Sequence, residues 1–248
     1  MKIPAICHNE RIWWEQIDKY RVLQRRVQGR DVLFILEETT EGFVHSCSVG
    51  DLCRILNLVP TNDWDGLQTL LLRQPTRKEN LMSPCWGRLA HSAEIGQPGE
   101  TNIYEGPAII LEAVDPSAHF KWNKSLSPSD MQEFNRLKGD GHVVQDQGKY
   151  FLISPNADTV RATQLYRTVL HEIGHWVDWL ERVERPSAMN SGSYAALSDA
   201  YWSLPSQERE SYAHKYADTV RRRLQREASI PFEPIKSGLS DFSQTELN

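Results

Sequence analysis

The segment from His171 to His175, His-Glu-Ile-Gly-His, carries the residue types of a hydrolytic metal site. Two histidines four residues apart on a helix lie about 40° apart around its axis, so both imidazoles can reach one ion. Zinc binds neutral imidazole nitrogen. Glu172 lies off that axis, where its carboxylate can reach a metal-activated water and take its proton. The spacing therefore predicts a zinc site on a helix, with Glu172 as the general base.

The sequence around this motif predicts a helix over residues 158–183 with two different faces. At about 100° per residue, seven apolar residues cluster on one side, and His171 and His175 fall on the other. Two core histidines would instead lie within the apolar stripe. Gly174 costs a helix about 1 kcal/mol relative to alanine, which indicates that another element packs very close there. The apolar residues are Leu165, Tyr166, Val169, Leu170, Ile173, Val177 and Leu180.

A catalytic zinc site usually has three protein ligands and one open position, so a third ligand is required. A second long helix is predicted over residues 206–228, and its buried stripe includes Ala213 and Ala217. Glu210 lies at the edge of that stripe, whereas Glu208 points away from it. The small alanines would let the two helices approach closely. Glu210 is therefore the predicted third ligand, and the alternative is a solvent-exposed carboxylate.

Two further side chains share a face with the predicted ligands. Asp178 follows His175 by three residues. It could hydrogen-bond a metal-bound imidazole or a neighbouring cation, or it could be an exposed helix carboxylate. His214 follows Glu210 by one helical turn, and it either supports a ligand by a hydrogen bond or is an ordinary surface or core histidine. The sequence leaves both alternatives open.

Two segments together resemble a known pattern. HEIGHWVD at 171–178, followed by ESYAHKYA at 210–217, is similar to the gluzincin metallopeptidases, and most of all to the group that contains the anthrax lethal factor catalytic domain. The resemblance covers roughly residues 140–228 and implies hydrolysis of peptide bonds. It also implies zinc ligands at His171, His175 and Glu210 and a catalytic base at Glu172.

The chain departs from this pattern at one catalytic position. The lethal-factor group places a tyrosine seven residues before its ligand glutamate, and this chain has Ser203 there. The neighbouring Tyr201 is the first candidate for stabilising the oxyanion, and Tyr194 is the next. The alternative for Tyr201 is packing as an ordinary aromatic residue.

Composition predicts a cytoplasmic protein. The 248 residues suffice for one large domain or two small ones. A formal net charge of -5 gives no overall attraction to nucleic acid or to anionic membranes. No apolar run reaches about 18 residues, and no secretion signal is visible. Without a CxxC pair, the cysteines are predicted to be free thiols in a reducing compartment; they are Cys7, Cys47, Cys53 and Cys85.

The hydrophobic patterns predict an α+β fold. We expect a zincin-like metallopeptidase domain, with a small mixed sheet over the metal-binding helix, and a largely helical N-terminal region. The predicted divisions are mostly helical residues 1–85, a linker or long loop at 86–107 where Pro, Gly, Ser and Asn collect, and the catalytic domain at 108–248.

Shorter patterns predict individual elements. In the metallopeptidases that this chain resembles, a sheet-edge strand above the metal helix holds an extended substrate by backbone pairing, and we expect the hairpin at 142–154 to do so. The other predicted elements are helices at 10–27, 49–58 and 63–72, strands at 31–36 and 108–113, and a helix that begins after the cap Ser127.

Three functions are compatible with these patterns. The first is an intracellular zinc endopeptidase that acts on a peptide or protein substrate. The second is another zinc hydrolase, or an HExxH metal protein without activity. The third is a regulatory protein whose N-terminal half binds DNA or a protein, for which a helix-turn-helix at 49–72 or a basic face on residues 45–80 would be the signal. The helix pair has no basic bias, so nucleic-acid binding is not favoured, and the oligomeric state is left open.

Overall fold

The structure, a computed structural model, describes residues 12–235 except 83, 84, 98, 100 and 190–192. Its described strands form two sheets. The first is mixed, with the strand order β1-β5-β6-β4-β3-β2. Its strands are β1 (Ile12–Gln16), β2 (Tyr20–Val27), β3 (Arg30–Glu37), β4 (Thr69–Arg73), β5 (Gly87–Gly96) and β6 (Asn102–Glu112). The second sheet is antiparallel, in the order β7-β9-β8, with β7 (Phe120–Asn123), β8 (Val143–Asp146) and β9 (Tyr150–Ser154).

The helices lie between and after the strands. They are α1 (Val49–Leu58), α2 (Arg77–Met82), α3 (Pro128–Gly139), α4 (Ala157–Thr163), α5 (Val169–Trp179), α6 (Arg185–Met189), α7 (Tyr194–Ser203) and α8 (Ser206–Arg226). π-helical turns at Gln164–Thr168 and Leu180–Glu184 join α4, α5 and α6 into one continuous helical stretch. The α+β class is therefore confirmed, as are the strand at 31–36, the helices at 49–58 and after Ser127, the hairpin and the two long helices.

The prediction of a largely helical N-terminal region is wrong. Residues 12–27 form β1 and β2, which pair with β5 and β3, while residues 10 and 11 lie outside the described part of the chain. A three-to-four spacing of apolar residues is compatible with a helix, but strand pairing overrides it: β1 pairs with the distant β5, and β2 forms a tight hairpin with β3. The predicted second helix at 63–72 is also wrong, because a 3-10 turn (Thr61–Trp64) leads into β4. No helix-turn-helix forms at residues 49–72.

The prediction of a linker at 86–107 is wrong as well. This stretch forms β5 and the first half of β6, and the predicted boundary at 107 falls inside β6. Its small and turn-forming residues mark irregularities within strands instead. Register shifts separate Ala90 from Ala93 in β5, and Gly106 in β6 has a φ of +139°. Glycine inside a strand often marks such a bulge.

The main hydrophobic core joins the first sheet to α1, α5 and α8. Leu52, Ile109, Leu165 and Ile173 are fully buried within one cluster. Central strand β4 is buried along its whole length, which explains its continuous apolar run. A second cluster lies on the other face of the sheet, and a third joins α3 to the small sheet. In the part of the chain that the structure describes, no helix has both the length and the hydrophobicity to cross a membrane.

The contact between α5 and α8 is unusually close at Gly174. A Cβ atom added there would lie 2.9 Å from both the Cα and the carbonyl oxygen of Ala213, and 3.2 Å from the Cβ of Tyr216. The first two atoms belong to backbone, so they cannot move aside without shifting the helix. The close packing that Gly174 indicates in the sequence is therefore confirmed, and α8 is the element that packs there.

Gly174→Ala is expected to destabilise the fold by about 1–3 kcal/mol through overpacking, although alanine favours an isolated helix. Urea unfolding measures the change. Gly139→Ala in α3 is the matched control, since an added Cβ there meets nothing within 4 Å. The control should be neutral or stabilising. Equal stability of Gly174→Ala and the parent protein would contradict the close contact.

Candidate metal centre

The structure brings His171, His175 and Glu210 together between α5 and α8. The two histidine Nε2 atoms lie 3.1 Å apart. Glu210 places Oε2 3.2 Å from Nε2 of His171 and Oε1 3.5 Å from Nε2 of His175. Ligands at about 2.0–2.1 Å from a tetrahedral zinc ion are separated by about 3.3 Å. The three side chains are therefore close enough to bind one ion, and their imidazole and carboxylate chemistry suits zinc.

The environment of each helix explains why these side chains meet. Val169, Leu170 and Ile173 of α5 are buried in the main core, which turns His171 and His175 towards α8. On α8, buried Ala213 and Ala217 allow the close approach that brings Glu210 within reach. The Glu210 side chain is still about half exposed. One side of the cluster is therefore open to solvent.

The side chains of the cluster shift one another's pKa values. Hydrogen bonding to His171, and then to His175, holds the pKa of Glu210 far below its ordinary value. Burial alone would lower the pKa of His175, but the hydrogen bond with Glu210 and the charges of Glu172 and Glu210 raise it overall. In the metal-free protein an anionic Glu210 thus favours a protonated His175. A zinc ion bound here would have to displace that proton, because zinc binds only neutral imidazole.

His214 adds a fourth group to the cluster. Its ring centroid lies 4.3 Å from that of His171, and its ligand atom is within 4.8 Å of those of His171 and Glu210. Burial, followed by the positive charges of His171 and Arg136, lowers the pKa of His214 to about 4. A neutral His214 therefore lies beside the ligand pair. His214 also forms a second possible set of metal ligands with His171 and Glu210.

Glu172 lies next to the ligands on α5, where it is 6% exposed. Asp178 is also buried, at 1% exposure, and its Oδ1 accepts a hydrogen bond of 2.6 Å from Nε of Arg182. Of the alternatives for Asp178, the exposed carboxylate is wrong and the contact with a neighbouring cation is the one observed. Arg182 also donates to Glu208 at 3.2 Å. Glu208 is thus engaged away from the histidines, as its predicted orientation implies.

Tyr201 lies in an aromatic cluster of α5, α7 and β5. Its ring centroid is 5.0 Å from Trp179, 5.2 Å from Trp202 and 5.8 Å from His91. The side chain is 2% exposed, and burial raises its pKa strongly. These contacts agree with the alternative of ordinary aromatic packing, and the oxyanion role of Tyr201 stays a prediction. The second candidate, Tyr194, is 42% exposed.

Ser203 does not replace the tyrosine of the resembled pattern at the cluster. Its hydroxyl donates a 2.7 Å hydrogen bond to the carbonyl of Asp199 in the same helix.

One residue beside the cluster was not found from sequence. Arg136 on α3 places Nη1 3.4 Å from Nε2 of His214. It is 78 residues away from His214 in the chain, and no local spacing connects the two. Among the predicted thiols, Cys47, Cys53 and Cys85 are free, and Cys7 lies outside the described residues.

No protein-family model, curated protein or solved structure matches the chain. The functional assignment therefore depends on the geometry of the site itself.

Glu210→Ala is expected to weaken zinc binding by at least about 100-fold, since loss of a group that merely supports a ligand already costs about 10–100-fold. Competition with a chelator measures the affinity, at about pH 8 so that the imidazoles are neutral. Glu208→Ala is the matched control on the same helix and should bind zinc as the parent protein does. The reverse order of effects would show that Glu210 is not a ligand.

Proposed function

We propose that the chain is a zinc-dependent metallopeptidase of the gluzincin type, with His171, His175 and Glu210 as ligands and Glu172 as the general base. The observation that carries the proposal is the convergence of His171, His175 and Glu210 next to a buried carboxylate: the two Nε2 atoms lie 3.1 Å apart, and each lies 3.2 or 3.5 Å from one oxygen of Glu210. A purely structural histidine pair would need neither the third ligand from another helix nor the half-open side at Glu210.

In the proposed reaction the chain's own residues hold the metal and transfer a proton. Zinc held by the three ligands would lower the pKa of water and polarise the peptide carbonyl. Glu172 takes the proton that water loses as its oxygen attacks the carbonyl carbon. It then gives that proton to the amine nitrogen as the carbon–nitrogen bond breaks. The buried position of Glu172 beside His171 supports this double role.

The strand best placed to hold a peptide is β5. Its residues Gly87–Ala90 pair with β6 on one side, and β1 pairs with β5 only from Ser92 onwards. No described residue pairs with the other edge of residues 87–90, and we propose that an extended peptide pairs there as a further strand. The start of this edge lies close to the turn that precedes α5, because an added Cβ at Gly87 would lie 3.0 Å from Thr168 Cγ2.

This arrangement supports a zincin-like site, although with a different strand from the one expected from sequence. The hairpin at 142–154 forms β8 and β9 of the small sheet, which packs on α3. Phe134 of α3 lies 4.6 Å from Phe151 of β9 between ring centroids. Strand β5 instead contacts α5 directly, with His91 5.0 Å from Trp179. We therefore assign substrate pairing to β5.

Glu172→Gln is expected to keep the fold and the zinc but to lose at least about 100-fold in turnover, the lower end for general acid–base catalysis. Glutamine has nearly the same shape and cannot take the proton. Cleavage of a fluorogenic peptide library, zinc content and melting temperature should be measured together. Glu227→Gln, at the end of α8, makes the same charge change away from the site and should keep full activity.

Full activity in zinc-loaded Glu172→Gln would overturn the mechanism. If the zinc-loaded parent cleaves no peptide of the library, the peptidase proposal itself fails.

One observation favours a second candidate, a metal protein without peptidase activity. His214 lies close enough to His171 and Glu210 to be considered a ligand. Four protein ligands would close the coordination sphere, as in structural zinc sites. Against this, Nε2 of His214 is 3.4 Å from the Arg136 guanidinium, a cation that would compete with a metal for that nitrogen.

His214→Ala distinguishes the two candidates. The peptidase proposal expects zinc affinity to fall by no more than the about 10–100-fold typical of a supporting group, with cleavage still measurable. A closed four-ligand site expects a loss as large as that in His175→Ala and no cleavage by the parent protein. Chelator competition on both alanine variants makes the comparison.

A further inference from the structure

Arg136 approaches the metal cluster from outside the two helices that form it. It lies on α3, and its Nη1 is 3.4 Å from Nε2 of His214. The ring of His214 is in turn 4.3 Å from that of His171 between centroids, at an interplanar angle of 39°. The imidazole of His214 therefore lies between Arg136 and the predicted zinc ligand His171. Its side chain is 21% exposed, so part of the guanidinium is accessible.

The ion-pair network around Arg136 contains more positive than negative charge. Arg167 is held by two bonds of 2.7 and 2.8 Å to Glu133 and by one of 2.7 Å to Asp140. Asp140 also accepts from Arg221 at 2.9 Å. Arg136 has a 3.7 Å contact with Glu133, whose carboxylate is already bound by Arg167. Three guanidinium groups thus share two carboxylates, and Arg136 has the loosest pair.

A carboxylate is the group that this site fits. A guanidinium offers a fork of N–H donors that matches a carboxylate in two parallel hydrogen bonds. Arg136 is partly desolvated, weakly paired and next to the cluster, so an incoming anion would complete the charge balance of the network. The intervening His214 separates Arg136 from the ligand atoms. This separation suits a charge on a neighbouring part of the substrate better than the oxygen of the bond that is cleaved.

We propose that Arg136 is a specificity-determining residue that binds a carboxylate of the peptide substrate close to the cleaved bond. The inference rests on the proposed peptidase function. The carboxylate belongs either to an acidic side chain or to the C-terminus of the peptide, and both sources present the same planar anion. The enzyme should then prefer acidic over neutral substrates at one position, and the preference should depend on Arg136.

The test uses pairs of fluorogenic peptides that differ in one charge, with Glu against Gln at each position and a free against an amidated C-terminus. The zinc-loaded parent should prefer the carboxylate of one pair by about tenfold in kcat/KM, mostly through KM, as expected for a charge-assisted hydrogen bond. Arg136→Gln should lower kcat/KM about tenfold more for the acidic peptide than for the neutral one, which abolishes the preference. Lys138→Gln, which removes a positive charge from the same helix, should keep the preference.

Several results would overturn the inference while the peptidase function stands. One is an active parent that shows no preference for any carboxylate. Another is a preference that persists in a folded, zinc-loaded Arg136→Gln. A third is an equal loss of kcat for acidic and neutral peptides, which would indicate a structural or oxyanion role. If Arg136→Gln does not fold, Arg136→Met, which keeps an unbranched side chain and removes the charge, replaces it, and an unchanged preference in that variant also overturns the inference.

A binding experiment separates this inference from failure of the proposed function. Zinc-loaded Glu172→Gln, with and without Arg136→Gln, is titrated with the same labelled peptides and followed by fluorescence anisotropy. Tighter binding of the acidic member, lost in the double variant, supports the role of Arg136 even if the parent cleaves nothing. Equal binding of acidic and neutral peptides to both proteins overturns it.

Discussion

The backbone contact at Gly174 sets the geometry of the cluster of His171, His175 and Glu210. Glu210 reaches His171 and His175 only because α8 approaches α5 to within contact of Ala213. Any side chain larger than hydrogen at Gly174 would push the helices apart, and each ligand distance depends on that separation. Glycine lowers the helix propensity of α5, but it allows the close packing. Close packing also explains why α8, the helix of the predicted ligand Glu210, has alanines along its buried stripe.

π-helical turns flank α5 on both sides, and hydrogen bonds from the first of them connect this helix to the first sheet. In the first turn, Gln164 donates from Nε2 to the carbonyl of Trp86 at 3.0 Å and to that of Glu112 at 2.7 Å. These bonds connect the metal helix to the start of β5 and the end of β6. A π turn widens the helix and shifts the phase of later side chains, and such turns are frequent at functional sites. The strand that we assign to substrate is thus positioned by the helix that holds the ligands.

Local features were predictable from sequence, and long-range ones were not. The histidine pair, Glu172 and Glu210 followed from spacing on two helices, because a helix places its residues by local geometry alone. The pairing of β1 with β5 did not, since these two strands are distant in sequence. Glycine and proline in residues 86–107 suggested a linker but mark strand irregularities. No local sequence pattern pointed to Arg136, because its contact with His214 depends on how α3 packs against α8.

The protonated cluster also explains how the ligands stay together before a metal binds. Three side chains whose metal-binding atoms lie about 3.3 Å apart would repel one another, or lose hydration without compensation, if all three could only accept hydrogen bonds. In the metal-free state the hydrogen bond with Glu210 raises the pKa of His175, and the hydrogen bonds with the two histidines lower the pKa of Glu210, so each group favours the charged form of the other. Zinc would replace a proton at the same place and with the same sign of charge. Binding then exchanges one cation for another and leaves the helices where the Gly174 contact has already fixed them.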